Sequence, residues 1–324
     1  METGKGISRV AQCRGGFPPY CYPLDFFLLS IGWSWFFWGI AIWRQIPFGS
    51  IEGSILIGLG GIGPSVSALG LLFLIEPTHT RLDFYKRLWN WDAIPWKVWV
   101  FVLGFPLGLK LLSILLSLPW GGSRDQFLLA PSLTGLPQAL YFGLFVLLFG
   151  PLPEELGWRG YALPGLLTRM SGVSASILLA SFWALWHFPL FLIPGYPLGA
   201  LLEEPLRIGF YLLDFFPNTI LYTMVFLNSG GSIPAAILFH WSGNFWGMAF
   251  ETGQAAEGIA LVLKANAVIV ALLSSVSFEE SQRTRRSGCT IVEVSSTDSP
   301  GSPKRTSKGA MKSLQGFPRR NTPI

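Results

Sequence analysis

The sequence predicts an all-α fold: a polytopic helical membrane bundle of about eight transmembrane helices, with a disordered C-terminal tail. Three observations lead there. Of 324 residues, 51% are hydrophobic, 15% aromatic and only 13% charged, which is too apolar for a soluble domain. Apolar runs of about 20 residues recur between boundaries of charge, Pro and Gly, the length a helix needs to cross a bilayer. These runs are continuous, without the alternation of a barrel, and an open sheet edge cannot lie in lipid.

In chain order the spans fall near 26–43, 51–75, 96–118, 136–152, 172–190, 207–227, 232–250 and 257–276. Lys5, Arg9 and Arg14 precede the first. That run is longer and more aromatic than a signal peptide and has no small-residue cleavage site, so it reads as a retained span. The fourth and seventh are short or carry Pro, which leaves about seven helices as the alternative.

Lys and Arg concentrate on one side: the N-terminal tail, the 76–97 loop (Arg81, Lys86, Arg87, Lys97), the 153–171 loop (Arg159, Arg169) and the stretch after 276. The opposite loops hold Arg44, Arg124 and Arg207, the last offset by Glu203 and Glu204. By the positive-inside rule both termini and the 153–171 segment face the cytosol. After 276 the chain turns to Ser, Thr, Pro, Lys and Arg, a composition that cannot offset ordering entropy by burial. The expected organisation is a cytosolic segment 1–25, N-terminal helices over 26–135, a second membrane domain over 136–276 and a basic tail 277–324 suited to anionic headgroups. No basic patch interleaved with aromatics points to a nucleic-acid partner. Cys13, Cys21 and Cys289 are odd in number and in no metal-ligand spacing, which argues against a disulfide framework.

Three polar clusters interrupt this apolar chain. Ionisable groups at membrane depth cost about 2.5 to 3.5 kcal/mol each, so by default they mark function. In the stretch from Pro151 and Pro153 through Glu154, Glu155 and Arg159, the prolines suit a helix start and place the acids in its first turn, where the macrodipole favours negative charge. Glu155 and Arg159 are four apart and can pair on one face; Glu154, turned by about 100°, points elsewhere and is left free. A carboxylate in a partly dry site is a better base than one in water, which suits abstraction of a proton from water. His187 ends an apolar helix with Trp183 one turn before it, an indole placed to fix the imidazole's orientation. His240 and Asn244 repeat the four-residue spacing on the seventh span, and two aligned donors can hold a developing oxyanion. Each cluster also has a bland reading: a capped helix start, a satisfied core histidine, an interhelical hydrogen-bond pair.

Together the clusters supply a base, two imidazoles, an amide and a guanidinium, an inventory that fits hydrolysis. Glu154 would activate a water, His187 would position or deprotonate it, and His240 with Asn244 would stabilise the tetrahedral oxyanion. No Ser shows a nucleophile-elbow pattern and the cysteines lie outside the clusters. Glu154, His187 and His240 could also ligate zinc; no His-Glu-x-x-His helix is present, and metal-free and zinc-assisted activation both stay open. The alternative class is a transporter or a binding or immunity scaffold, with the same residues lining a ligand path or locking helices. Glu203-Glu204 with Arg207 mimics the first cluster, but Pro205 interrupts the spacing, so it reads as an interfacial loop. Asp214 and Lys110 lie inside spans and need partners, either each other or water if the spans begin deeper. His79 reads as a solvated loop residue.

The clusters resemble the motifs of the CAAX-protease and bacteriocin-processing family of intramembrane endopeptidases: Glu154-Glu155-x-x-x-Arg159, an aromatic-x-x-x-His motif met as Trp183-x-x-x-His187, and His240-x-x-x-Asn244. The resemblance covers 136–276. It implies that Glu154, partnered by His187, activates the water, that Glu155 is held by Arg159, and that His240 and Asn244 form the oxyanion site. It also implies removal of the C-terminal tripeptide of prenylated CAAX proteins, whereas bacterial members process or confer immunity to peptides. Trp183 stands where the family commonly has Phe or Tyr and is expected to shape the prenyl or peptide groove. A membrane-buried site open to the cytosol suits a lipidated or membrane-inserted peptide. The membrane expected is the endoplasmic reticulum in a eukaryote, which the tail favours, or the plasma membrane in a bacterium.

Overall fold

The computed structural model describes residues 7–13, 20, 22–133, 135–274 and 289–295. They belong to two compact units. In one, strands β1 (Ile7–Cys13) and β2 (Cys289–Ser295) pair as a two-stranded sheet. The remainder of the tail expected over 277–324, and most of the 1–25 segment, lies outside the described residues.

The other unit is a helical bundle. Its first half comprises α1 (Pro23–Trp43), α2 (Ile51–Gly61), α3 (Gly63–Leu74), α4 (Thr78–Leu88) and α5 (Trp96–Ser117). Its second half comprises α6 (Leu136–Phe149), α7 (Pro151–Gly157), a π-turn over Trp158–Ala162, α8 (Leu163–Leu167), α9 (Gly172–His187), α10 (Pro205–Asn228), α11 (Ile233–Ala249) and α12 (Gln254–Ser274). Local chemistry sets the starts. Ser50, Ser171 and Ser232 cap α2, α9 and α11 by accepting the backbone N–H three residues on, at 3.0, 3.1 and 3.3 Å. Prolines occupy the first turn of α1, α3, α6, α7, α10 and α11, where a missing N–H costs nothing.

Among the described residues six helices are long and apolar enough to cross a membrane, or seven if α2 and α3, bent by 42°, form one span. Among the described residues every expected span falls mainly on helix, the last two positions of the 257–276 span lying outside them, but the count of eight is not reached on length. The segment expected over 232–250 is α11, whose 17 residues sit at the short limit for crossing. The fourth span does not stop at 152. It runs on as one apolar stretch, Leu136–Leu167, because Pro151 and Pro153 open a new helix rather than ending the old one. The polar loop expected over 76–97 contains a helix, α4, and His79 is exposed on it.

Packing places the second half around its own polar groups. Helix α9 runs along α10, α5 along α11 and α12, and α10 along α12; α7 lies between α3 and α11, and α1 packs on α2, α3 and α9. At the α1–α9 contact the Trp186 indole N–H donates to Ser34 Oγ (2.6 Å), whose hydroxyl donates to the Gly60 carbonyl (2.7 Å). Between α9 and α10, Ser176 Oγ donates to Thr223 Oγ1 at 2.7 Å, a small-residue contact that lets the backbones close up. The outward faces carry Leu24, Leu28 and Phe36 on α1 and Leu140, Tyr141 and Phe149 on α6, all exposed, as lipid-facing helices require.

Candidate active site

The first cluster sits where α6 breaks at Gly150 and the chain restarts as α7. Ser65 Oγ on α3 donates to the Pro153 carbonyl at 2.5 Å. Gly157 approaches α3 so closely that a Cβ there would lie 2.6 Å from the Pro64 carbonyl oxygen. Helix α7 is therefore fixed on α3 over its whole length. Beyond it comes the π-turn, a local widening often found at functional sites. Pro164 has no N–H to offer the Gly160 carbonyl, and Arg87 of α4 supplies its Nη2 instead, at 2.8 Å. Arg87 also pairs with Asp83 at 2.7 Å and donates to Tyr20 Oη. One of the arginines counted as a loop cation is thus a buried brace beneath the site.

From this turn Arg159 projects inward. Its Nη1 donates to Glu155 Oε1 at 2.7 Å with both side chains fully buried, as the four-residue spacing predicted. The guanidinium lies over the rings of Trp183 and Tyr222 at 4.8 and 4.5 Å. His240 Nδ1, from α11, meets the same Glu155 oxygen at 2.8 Å. A carboxylate only accepts, so Nδ1 carries the hydrogen and the ring's orientation is fixed. Linear spacing carried no signal for this contact, because the two residues lie 85 positions apart.

Glu154 turns away from Arg159, as expected, but it is not free. Its Oε2 accepts the Trp183 indole N–H at 2.8 Å, while Oε1 accepts no hydrogen bond among the described residues. Trp183 is only 4% exposed. It packs edge-on to His240 at 5.3 Å and against Phe215 at 5.0 Å. It lies under the carboxylate. What distinguishes it from Phe or Tyr here is the ring N–H, which neither of those can place at that position.

His187 Nδ1 is 2.8 Å from the Trp183 carbonyl. That oxygen only accepts, so Nδ1 carries the hydrogen and in the neutral ring Nε2 keeps its lone pair. Trp183 therefore holds both members of the expected Glu154–His187 pair, one by its indole and the other by its backbone; no direct bond joins them among the described residues. Asn244, half-buried one turn past His240, faces the Gly150 break. A Cβ at Gly150 would be 3.6 Å from Asn244 Nδ2 and 4.0 Å from Glu154 Oε1, so amide and carboxylate converge on one spot.

Among the described residues no three His, Cys, Asp or Glu side chains converge closely enough to hold a metal ion. Trp183 and Glu155 engage Glu154 Oε2 and His240 Nδ1, so Glu154 Oε1, His187 Nε2 and His240 Nε2 are the atoms these three residues would have left to offer a metal ion.

A cavity of about 420 Å³ adjoins the site between α5, α10, α11 and α12, with Tyr222, Gly243 and Asn244 in its wall. Two ion pairs line it. Arg207 grips Glu257 with two bonds of 2.7 and 2.9 Å and also reaches Glu204 at 2.9 Å, so its charge is offset by these two and not by Glu203. Lys264 grips Asp214 at 2.6 and 2.9 Å. Asp214 also accepts from Asn218 at 2.8 Å, and the expected pairing of Asp214 with Lys110 does not form. Lys110 instead donates to Thr252 Oγ1 (2.8 Å) and to the Gly247 carbonyl (3.2 Å).

Two comparisons with known proteins place this arrangement. The family model of type II CAAX prenyl endopeptidase Rce1-like proteins matches residues 136–246, a range that holds every candidate residue from Glu154 to Asn244. CAAX prenyl protease 2 of Methanococcus maripaludis is 35% identical over 189 residues, 58% of this chain and 69% of that protein. Fold and family together define a multi-pass integral membrane protease. The chain belongs to the Rce1-like family of CAAX prenyl endopeptidases.

Proposed function

We propose that this protease removes the C-terminal tripeptide of prenylated CAAX proteins, using a water that Glu154 deprotonates. The relative's name brings the substrate class to this chain. The observation that carries the mechanism is the asymmetry of the Glu154 carboxylate: Oε2 is fixed by Trp183, and Oε1 is open on the side shared with Asn244. A water at Oε1 gives its proton to the carboxylate as its oxygen attacks the carbonyl carbon of the prenylated cysteine. His187 Nε2 acts as a second acceptor that orients this water. The resulting oxyanion accepts from Asn244 Nδ2. It also accepts from His240 Nε2 when that ring is doubly protonated, with Glu155 as counter-charge. Collapse breaks the C–N bond, and the proton held by Glu154 passes to the leaving amine. The products are a cysteine carboxylate and a free tripeptide.

The Lys and Arg distribution supports a site that opens to the cytosol, where CAAX substrates are made, in the endoplasmic reticulum of a eukaryote or the plasma membrane of a bacterium. No step in the scheme calls for a metal. The test is release of the tripeptide from a farnesylated CAAX peptide by purified protein in detergent. Wild type is expected to cleave, a chelator to leave the rate unchanged, and Glu154→Ala and Asn244→Ala to abolish it. Wild-type rates from both variants would overturn the site, and loss of activity with chelator would overturn the metal-free scheme. No cleavage of farnesyl, geranylgeranyl or unlipidated peptides would favour a scaffold.

A further inference from the structure

We propose that Lys110 anchors the substrate's terminal α-carboxylate, which makes the cavity beside Asn244 the seat of the leaving tripeptide. The inference rests on the proposed function and adds a residue for which linear spacing gave no role.

Lys110 lies within α5, at a depth where an ammonium is costly unless it serves a partner. Three cations and two carboxylates line the cavity. Arg207 is matched by Glu257 and Lys264 by Asp214. The bonds of Lys110 go to a hydroxyl and a backbone carbonyl, both neutral, so it is the one lining cation that makes no ion pair among the described residues, the nearby Glu257 carboxylate being held by Arg207. An anion entering the cavity completes it.

Distance selects which anion. Lys110 Nζ sits at the Gly247 carbonyl, seven residues along α11 from His240. At a rise of 1.5 Å per residue that separation is about 10 Å, and from Asn244, three residues away, about 5 Å, so Lys110 lies within reach of about two to three extended residues from the oxyanion donors. A peptide whose scissile carbonyl lies at Glu154, Asn244 and His240 therefore brings its terminal carboxylate to Lys110 when three residues follow the bond. The wall between is apolar, with Phe105, Leu109, Leu198 and Phe239, which suits aliphatic side chains in the two positions after the cysteine. The volume of about 420 Å³ falls in the range of small-ligand sites.

The competing role is structural: Gly247 is in the last turn of α11, and a lysine there can simply cap the helix. A pair of farnesylated peptides, one ending in the free acid and one in the carboxamide, separates the two. For wild type the acid is expected to be preferred by about tenfold to a hundredfold in kcat/KM, as for a hydrogen bond to a charged group. Lys110→Gln should bring that ratio close to one, mainly through KM on the acid, and Lys110→Arg should keep the preference. A cap would make Lys110→Gln lower both substrates equally and leave the ratio intact, which overturns the inference. Equal cleavage of both peptides by wild type overturns it without any variant, so a misfolded Lys110→Gln does not block the decision. Wild type that cleaves neither peptide overturns the proposed function itself, a distinguishable failure.

Discussion

Glu154-Glu155 with Arg159, and Glu203-Glu204 with Arg207, use the same residue types at nearly the same spacing and end in opposite solvents. Glu155 and Arg159 have no exposure, whereas Arg207 and Glu204 keep 27% and 46%. The placement of proline makes the difference. Pro151 and Pro153 precede the first acidic pair, so one helical run carries Glu154, Glu155 and Arg159 inward together. Pro205 stands between the second acidic pair and its arginine and opens α10, so Glu204 stays outside the helix at the rim. A buried ion pair gains little net stability by itself and is tolerated only when further contacts complete it. Here they do so in part: His240 shares the Glu155 oxygen and the faces of Trp183 and Tyr222 cover the guanidinium, while Glu155 Oε2 and Arg159 Nε and Nη2 have no hydrogen-bond partner among the described residues. The rim pair needs no such shell, because water supplies it.

Variants of the two pairs sharpen this contrast. The largest effect on rate is expected at Glu154, the acid that the buried helix presents without an arginine: loss of its general-base role should cost about 10²- to 10⁴-fold. Arg159→Ala leaves Glu155 in a dry site with the His240 N–H as its one remaining partner, and should destabilise the protein by about 3 to 5 kcal/mol in a detergent unfolding titration. Trp183→Phe shrinks a buried ring and deletes the N–H that fixes Glu154, and should slow hydrolysis by about tenfold to a hundredfold while lowering stability by about 1 to 3 kcal/mol, less than Arg159→Ala. Glu204→Gln, which cuts an exposed pair, should change stability by less than about 1 kcal/mol. A Glu204→Gln effect as large as that of Arg159→Ala would erase the distinction between the regions.

The same contrast explains what could be read from the sequence. Local spacing was sufficient for the apolar runs, for the Glu155–Arg159 pair and for the separation of Glu154 from Arg159, because four residues on a helix share a face. Contacts that depend on which helices are neighbours were not legible. Trp183 to Glu154, His240 to Glu155 and Lys264 to Asp214 each join different helices, and nothing in one helix's periodicity names its neighbour. Depth alone offers Lys110 and Asp214 to each other as one of two alternatives, and Lys264, on the last helix, takes Asp214 instead. Arg87 was counted as a loop cation although a partial signal existed: Pro164 must free the Gly160 carbonyl, and a buried carbonyl requires a donor. The extension of the fourth span past 152 was hidden by two prolines that mark a helix start as readily as a stop.

The most direct test of Glu154 as the water-activating base is single-turnover hydrolysis of one prenylated CAAX peptide by Glu154→Gln and Glu204→Gln side by side, each first shown to unfold at the wild-type midpoint. Expected is a loss of about 10²- to 10⁴-fold for Glu154→Gln and a wild-type rate for Glu204→Gln. A folded Glu154→Gln protein that hydrolyses the peptide at the wild-type rate would contradict it.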